Sequence, residues 1–224
     1  MRKVSMTGAL LLLAGLGLFI LGLEAQLRDK ALSGRTVSMQ AEETARRYYG
    51  LYENIWKDLE YFPIPQDKNR EPVITYENTW LFERTYGGSY GHEGTDLMPP
   101  ENKSGVYPVV SISDGTVEQL GWLEKGGWRI GIRSIHDVYF YYAHLSSYAE
   151  EFQKGDPVQA GQLLGYMGDT GYGKQEGTRG QFPVHLHLGI YLRSEEFPEL
   201  AVNPYWFLRY LESHRKVVAG AAPG

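Results

Sequence analysis

Short runs of β-prone residues, separated by turn residues, constrain the fold of this chain more than any other feature of its sequence. The runs are rich in valine, isoleucine, tyrosine and leucine, and most are bounded by Gly, Pro, Asp or Asn. They cover residues 73–76, 107–111, 116–122, 128–135, 138–144, 162–167 and 184–192. Strands this short at this spacing predict a mainly β domain, built as an antiparallel sheet or sandwich, and argue against a βαβ fold.

Helical periodicity marks two other segments. In residues 38–61, apolar side chains recur every three or four positions, with charged side chains between them. This pattern predicts a helix, which is either a stalk beside a membrane or an ordinary helix packed on the domain that follows it. A short C-terminal helix over 205–213 is predicted after Asn203-Pro204, because proline is favoured in the first turn of a helix.

The N-terminal segment, residues 1–23, is predicted to be a membrane anchor. Residues 4–23 carry no charge and lie between Arg2-Lys3 and Glu24. A helix of this length spans about 30 Å, the thickness of the hydrocarbon core of a bilayer. A cleaved signal peptide is the alternative, although Leu23-Glu24-Ala25 is a poor cleavage site. The predicted order after it is a 24–61 juxtamembrane helical stalk, a 62–72 linker, a 73–215 domain and a 216–224 flexible tail.

Composition excludes several classes of function. The formal net charge is -5 and no basic stripe is present, so a nucleic acid is not an expected partner. The chain also contains no cysteine. This excludes a disulfide-stabilised scaffold, a thiolate zinc finger, a cysteine nucleophile and an anchor through a lipidated cysteine.

Histidines and one aspartate in three separated segments could together form a metal site. His92 and Asp96 lie four residues apart in a stretch whose glycines disfavour a helix, so a turn would have to bring them together. His185 and His187 alternate with apolar residues on a predicted strand, so both imidazoles lie on the same face. His144 is predicted to end a strand, where the sheet opens into a loop.

Each of these segments has a structural explanation when it is taken alone. Together they offer two histidines and one aspartate, which are ligand types that zinc accepts, and two further imidazoles for proton transfer. The chain has six histidines, and the other two are expected to be structural: His136 lies in a predicted turn and His214 follows the last helix.

Other short motifs accompany the histidines in a fixed order. The series reads His92-Glu93-Gly94-Thr95-Asp96, Pro108-Val109, Asp114-Gly115-Thr116-Val117, Tyr142-Ala143-His144-Leu145-Ser146, Gly155-Asp156-Pro157-Val158, Ala160-Gly161-Gln162, Gly168-Asp169-Thr170-Gly171 and His185-Leu186-His187. This series, over about residues 85–192, resembles the lysostaphin-type (LytM-like) zinc metalloendopeptidases, which are hydrolases of peptidoglycan peptides.

The resemblance implies a site and a reaction. It implies one zinc ion per chain, with His92, Asp96 and His187 as its ligands and with His144 and His185 as catalytic histidines. Three protein ligands leave a fourth tetrahedral position for water, which is the arrangement of a catalytic zinc site. The implied partners are the stem or cross-link peptides of peptidoglycan.

Two departures from the family pattern affect the rim of the groove. Residues 172–182 separate the glycine turn from the His-x-His strand, and Leu188-Gly189 stands where an aromatic and an acidic residue are usual. Neither departure removes a ligand. Tyr90 and Tyr172 flank the site segments and are candidates for substrate contacts, as are Tyr86 and Tyr107.

Together with the predicted anchor, the resemblance implies a membrane-anchored, extracytoplasmic zinc endopeptidase that hydrolyses peptidoglycan through an activated water. The expected location is the bacterial cytoplasmic membrane, crossed once, with the domain facing the cell wall; secretion after signal cleavage is the alternative. The competing function is a catalytically silent module of the same fold that binds the wall or serves as a scaffold. In either case a regulatory protein could be a further partner.

Overall fold

The structure is a computed structural model that describes residues 39–67, 73–194 and 198–218. The chain divides into two units, Met1–Leu51 and Tyr52–Gly224. The predicted anchor at 1–23 lies outside the described residues. Within those residues, no helix is both long enough and apolar enough to cross a membrane.

Most of the described secondary structure is short β-strands. They are β1 (Gln66–Asp67), β2 (Glu83–Arg84), β3 (Tyr90–Gly91), β4 (Thr95–Leu97), β5 (Pro108–Val110), β6 (Gly115–Leu123), β7 (Gly127–Ser134), β8 (Val138–Tyr148), β9 (Pro157–Val158), β10 (Leu163–Met167), β11 (Leu186–Leu192), β12 (Leu200–Val202) and β13 (Val217–Val218). The helices are α1 (Met39–Asp58) and α2 (Tyr205–Leu211).

The main sheet is antiparallel. Its strands follow the order β12-β11-β8-β7-β6-β9, with β4 paired to β11 and with β10 paired to both β5 and β8. Strands β2 and β3 form a separate hairpin, and β1 pairs in parallel with β13. This architecture confirms the prediction of a mainly β, antiparallel domain.

Two predicted strands differ from those observed. Residues 73–76 form no strand, because Thr75 makes a single bridge with Met98 and its neighbours find no partner there. The run 138–144 continues as β8 to Tyr148. It continues because β8 carries one extra residue near His144, a bulge that lets the strand keep its partner β7 on both sides of that residue and pair with β10 after it.

The core lies against the long central strands and gives the sheet a rigid base. Ile130, Ile132, Phe140 and Tyr142 are fully buried, and burial of each such side chain contributes about 1.5–3 kcal/mol. The Tyr142 hydroxyl accepts a hydrogen bond from the backbone N–H of Ile112 at 2.8 Å, so even this polar atom is satisfied inside the core.

The C-terminal part of α1 packs on the domain. From Tyr52 onward the helix belongs to the same unit as the sheet, and Ile55 is fully buried. The Trp56 ring lies 4.9 Å from the Phe207 ring of α2. For these residues, the packed helix is the alternative that the structure favours over a free stalk.

Segments predicted as linker and tail also take part in the packing. Phe62 and Ile64, inside the predicted 62–72 linker, have no exposed surface. Gln66 pairs with Val217, so the first residues of the predicted tail form a strand. The prolines around Ile64 indicated a break in periodicity, but apolar side chains between prolines can still be buried.

Candidate zinc centre and active site

Pairing of β4 with β11 brings an aspartate and a histidine together. Asp96 and His187 are directly opposite each other in the antiparallel register, so their side chains share one face. His187 Nδ1 lies 2.9 Å from Asp96 Oδ1. On the other side of β11, the backbone of His187 is paired with Ala143 of β8. This pairing fixes the position of His187 along the sheet.

His92 joins this pair from the turn before β4. Its Nε2 lies 3.1 Å from Asp96 Oδ1 and 3.1 Å from His187 Nδ1. Gly94 makes the approach possible, because a Cβ at that position would lie 2.4 Å from Cε1 of His187. The turn that the sequence required between His92 and Asp96 is present, and no helix forms there.

These three residues fit a zinc ion. The candidate ligand atoms of His92, Asp96 and His187 all lie within 4.8 Å of one another. Ligands bound to a tetrahedral zinc at about 2.0–2.1 Å lie about 3.3 Å apart, close to the separations found here. Two imidazoles and one carboxylate are also a donor set that zinc accepts.

Neighbouring groups orient the ligands from outside. Thr79 Oγ1 lies 2.9 Å from Nδ1 of His92, on the side of the ring away from Asp96. Arg84 Nη2 donates to Asp96 Oδ2 at 2.5 Å, which leaves Oδ1 facing the imidazoles. Burial alone would raise the pKa of Asp96, but hydrogen bonds from His187 and His92 outweigh it and hold the pKa well below its ordinary value.

His144 reaches the site through the bulge in β8. Its φ of 62° lies in the left-handed region, which non-glycine residues rarely adopt and which costs of order 1–3 kcal/mol. The ring Nδ1 donates to the carbonyl of Thr170 at 2.8 Å, because a carbonyl can only accept. Nε2 is therefore the unprotonated nitrogen. The prediction that His144 ends a strand is wrong, since the bulge re-aims the side chain within a continuing strand.

His185 lies one residue before β11 and is held in a similar way. Its Nδ1 donates to the Pro183 carbonyl at 2.7 Å, and its Nε2 lies 3.8 Å from Asp96 Oδ1. The ring centroids of His144 and His185 are 4.7 Å apart.

Both of these imidazoles are kept neutral. Burial lowers the pKa of His144 well below its ordinary value, and His185 and His187 lower it further. Burial likewise lowers the pKa of His185, with partial opposition from the Asp96 carboxylate. A neutral ring with a free Nε2 is able to accept a proton.

The five residues line one cleft of about 480 Å³. One wall comes from the 172–182 insertion: Tyr172 and Phe182 lie edge-on to His144 at 6.0 and 4.6 Å between ring centroids. Tyr86 stacks on Tyr172 at 4.4 Å and thereby joins the β2–β3 hairpin to the insertion. Tyr141 and Tyr191 stand on the side of His187.

The predicted substrate contacts divide into two groups. Tyr90 and Tyr172 line the cleft. Burial, together with the neighbouring Tyr90, raises the pKa of Tyr172 to about 12, so its hydroxyl stays protonated. Tyr107 is instead a buried residue whose hydroxyl accepts from the backbone N–H of Glu101.

Sequence reasoning missed several residues that line the cleft or orient its ligands. His136 and His214, as predicted, lie elsewhere. The missed residues are Thr79, Arg84, Lys125, Tyr141, Thr170, Phe182 and Tyr191. The position of Phe182 at the end of the insertion was the available signal for that residue, whereas a lone arginine or lysine carries none.

The chain is similar to known proteins over the residues that carry this site. The model of peptidase family M23 matches residues 90–199. A solved structure of Ruminococcus gnavus LytM, assigned as a glycyl-glycine endopeptidase, superimposes with a TM-score of 0.69; it is 50% identical, covering 84% of this chain and 78% of that one.

Two curated relatives are enzymes. The Bacillus subtilis L-Ala–D-Glu endopeptidase is 40% identical over 153 residues, which is 68% of this chain and 44% of the relative. Lysostaphin of Staphylococcus simulans is 42% identical over 114 residues, which is 45% of this chain and 22% of the relative. The chain thus spans less than half the length of these relatives. Because this chain is 50% identical to the LytM protein over most of both chains, it belongs to peptidase family M23, whose members are zinc-dependent endopeptidases of peptidoglycan.

Proposed function

We propose that this chain is a zinc endopeptidase that hydrolyses peptide bonds of peptidoglycan. One observation carries the proposal: two neutral imidazoles, those of His144 and His185, stand in the same cleft as the candidate ligand set. A structural metal site would need no such pair. When bound by His92, Asp96 and His187, zinc supplies Lewis acidity toward a peptide carbonyl and toward water.

The protein's own residues then supply the proton transfers. His144 and His185 each hold a proton at Nδ1 against a backbone carbonyl, so each presents Nε2 as an acceptor. A water in the cleft can lose its proton to Nε2 of one of them, and the resulting imidazolium can pass that proton to the leaving amine. The imidazolium can also donate a hydrogen bond to the developing oxyanion.

The aromatic wall limits access of solvent to this chemistry. Tyr172 and Phe182 cover His144 from the insertion, and Phe182 also lies 5.1 Å from His185 between ring centroids. Partial exclusion of water strengthens electrostatic interactions inside the cleft. An extended peptide lying between this wall and Tyr191 would pass directly over the candidate ligands.

The same proposal places the domain outside the cytoplasmic membrane, held there by residues 4–23. The absence of charge in that segment and the extracytoplasmic position of peptidoglycan support this location. Fractionation of cells followed by added protease would test it. A membrane-bound chain that is cut only from the outside is expected, and a shorter chain in the medium would indicate signal cleavage instead.

Mass spectrometry of muropeptides tests the activity. The full chain with one equivalent of zinc, incubated with purified peptidoglycan, should release peptides cut at one type of bond. Chelation should abolish the release, and restored zinc should recover it. Protein that binds peptidoglycan without releasing any peptide would contradict the proposal and support the catalytically silent module.

A further inference from the structure

Two cationic side chains stand in the cleft, and the mechanism above does not use them. Among the described residues, Arg84 and Lys125 are the arginine and lysine that line it. We infer that they form a subsite for a carboxylate of the substrate, next to the bond that is cut. This inference rests on the proposed function and narrows its substrate class to peptides with an acidic residue beside the scissile bond.

Both cations flank the same tyrosine. Arg84 and Tyr90 are direct partners in the β2–β3 hairpin, so their side chains share one face. From the other direction, Lys125 Nζ lies 3.5 Å from the centroid of the Tyr90 ring. The two positive charges are thereby gathered at one end of the cleft, although they come from segments distant in the sequence.

This end of the cleft lies beside a candidate zinc ligand and a candidate catalytic histidine. Arg84 Nη2 lies 2.5 Å from Asp96 Oδ2. Lys125 belongs to the β6–β7 turn, and the carbonyl of the next residue, Gly126, accepts from the backbone N–H of His144 at 2.8 Å. A carboxylate held by these cations would belong to a residue at or next to the scissile bond.

The cations have donors to spare. In the described part of the chain, Nη2 is the atom of Arg84 that contacts Asp96 and His92, so Nε and Nη1 can serve a further acceptor. Its side chain is 33% exposed. A guanidinium presents its donors as a rigid fork that matches a carboxylate. Lys125 is exposed and makes no ion pair within the described residues.

A carboxylate side chain, that of Glu93, also lines the cleft. It lies near Tyr191, whose hydroxyl is 3.5 Å from the Glu93 backbone oxygen. A carboxylate of the peptide would therefore bind at Arg84 and Lys125 and away from Glu93. A peptide of glycine alone would offer no side-chain carboxylate to either cation. A glutamate joined through its amino group, as in the bond that names the Bacillus subtilis relative, keeps a carboxylate free.

A pair of matched peptides tests the subsite. The two substrates contain alanine followed by a D-configured acidic residue or its carboxamide, and they differ only in that group. The full chain with zinc should favour the carboxylate peptide in kcat/KM by about tenfold or more. Arg84→Gln and Lys125→Gln should each bring the ratio of the two kcat/KM values toward one.

The ratio of the two kcat/KM values distinguishes loss of carboxylate recognition from damage to the metal site. Because Arg84 also touches Asp96, Arg84→Gln can lower both rates, but only loss of the subsite changes their ratio. Lys125→Gln touches no candidate ligand and is the cleaner variant. Lys154→Gln, whose Nζ bonds Gln119 away from the cleft, removes the same charge and should leave the ratio unchanged.

Binding of the C-terminal cleavage products, measured by calorimetry, keeps the two proposals distinguishable. Peptidoglycan cleavage with equal rates for both peptides, or with neither peptide cut, would overturn the carboxylate subsite and leave the proposed function standing. Tighter binding of the acidic product than of its carboxamide, with no cleavage of any substrate, would overturn the function and support the subsite. Equal binding and no cleavage would overturn both.

Discussion

Two aspartates in this domain each hold a histidine, and they do so in different surroundings. Asp58, at the end of α1, accepts from Ser134 Oγ at 2.5 Å and from His136 Nδ1 at 2.5 Å. Asp96, in the cleft, shares one oxygen with two imidazoles and its other oxygen with Arg84. Both clusters therefore contain a contact between an aspartate and a histidine.

The two clusters differ in how many side-chain atoms contact a single carboxylate oxygen. Each oxygen of Asp58 has one partner from the β7–β8 connection, so the cluster is complete as a structural tie. Two ring nitrogens from separate segments lie within 3.1 Å of Asp96 Oδ1, and they are also 3.1 Å from each other. Such crowding of acceptors needs a shared proton or a cation. Substitutions at the two sites should therefore fail in different ways.

Loss of Asp96 should have the largest effect. Asp96→Ala removes a ligand, so we expect bound zinc to fall from about one equivalent to near zero and hydrolysis to fall by more than about ten-thousandfold. Metal analysis and a peptide-release assay measure the two quantities. Asp58→Ala is the matched control and should keep its zinc. Equal zinc content in both variants would remove the distinction between the clusters.

Loss of a proton-transfer group should be the next largest. His144→Ala and His185→Ala should each keep zinc but lower kcat by about a hundred- to ten-thousandfold, because a positioned acid–base group is missing. The assay is hydrolysis of purified peptidoglycan. His136→Ala, outside the cleft, serves as the control. Near-wild-type rates from both cleft variants would contradict the mechanism.

Loss of Asp58 should reduce stability instead of activity. In Asp58→Ala, Ser134 Oγ loses its partner in a buried position and His136 loses its anion, so the free energy of unfolding should fall by about 3 kcal/mol. Urea denaturation measures this fall. Asp58→Asn, which keeps an acceptor for Ser134, should lose less. An unchanged denaturation midpoint for Asp58→Ala would show that the tie is not structural.

The smallest effect is expected from Thr79. With Nε2 of His92 in the ligand set, Nδ1 carries the proton, and Thr79 Oγ1 at 2.9 Å can accept it whereas the nearby Arg84 Nη2 cannot, so Thr79→Val should weaken zinc binding by about tenfold. Competition with a chromogenic chelator measures the affinity. Thr178→Val, in the insertion, removes a hydroxyl that donates to the Gln175 carbonyl and should have no effect. Equal affinities would show that Thr79 does not orient the ring.

Sequence reasoning brought the five site residues together because their motifs are local and ordered. The alternation in His185-Leu186-His187 fixed a shared face, and the spacing of His92 and Asp96 required a turn. It failed where the determinant was a single backbone event. Nothing in the β-prone run around His144 signals an extra residue in the strand or a positive φ, so the sequence predicts a strand end there.

Contacts between segments that are distant in the sequence could not be predicted either. Arg84 and Lys125 meet at Tyr90 only through the fold, and neither belongs to a motif. The insertion was recognised from its glycines and its length. The packing of Tyr172 and Phe182 against His144 depends, however, on where the loop returns to the sheet.

Burial of residues 62–65 has a practical consequence for making shorter versions of this protein. The backbone N–H of Val110 bonds the carbonyl of Pro63 at 2.8 Å, and that of Tyr61 bonds the carbonyl of Ile112 at 3.2 Å. A truncated chain starting at residue 73 would lose these bonds, the apolar cover from Phe62 and Ile64, and strand β1. Expression of the chain without its N-terminal segment should therefore begin before Tyr52 and run through Val218 if soluble material is to be recovered.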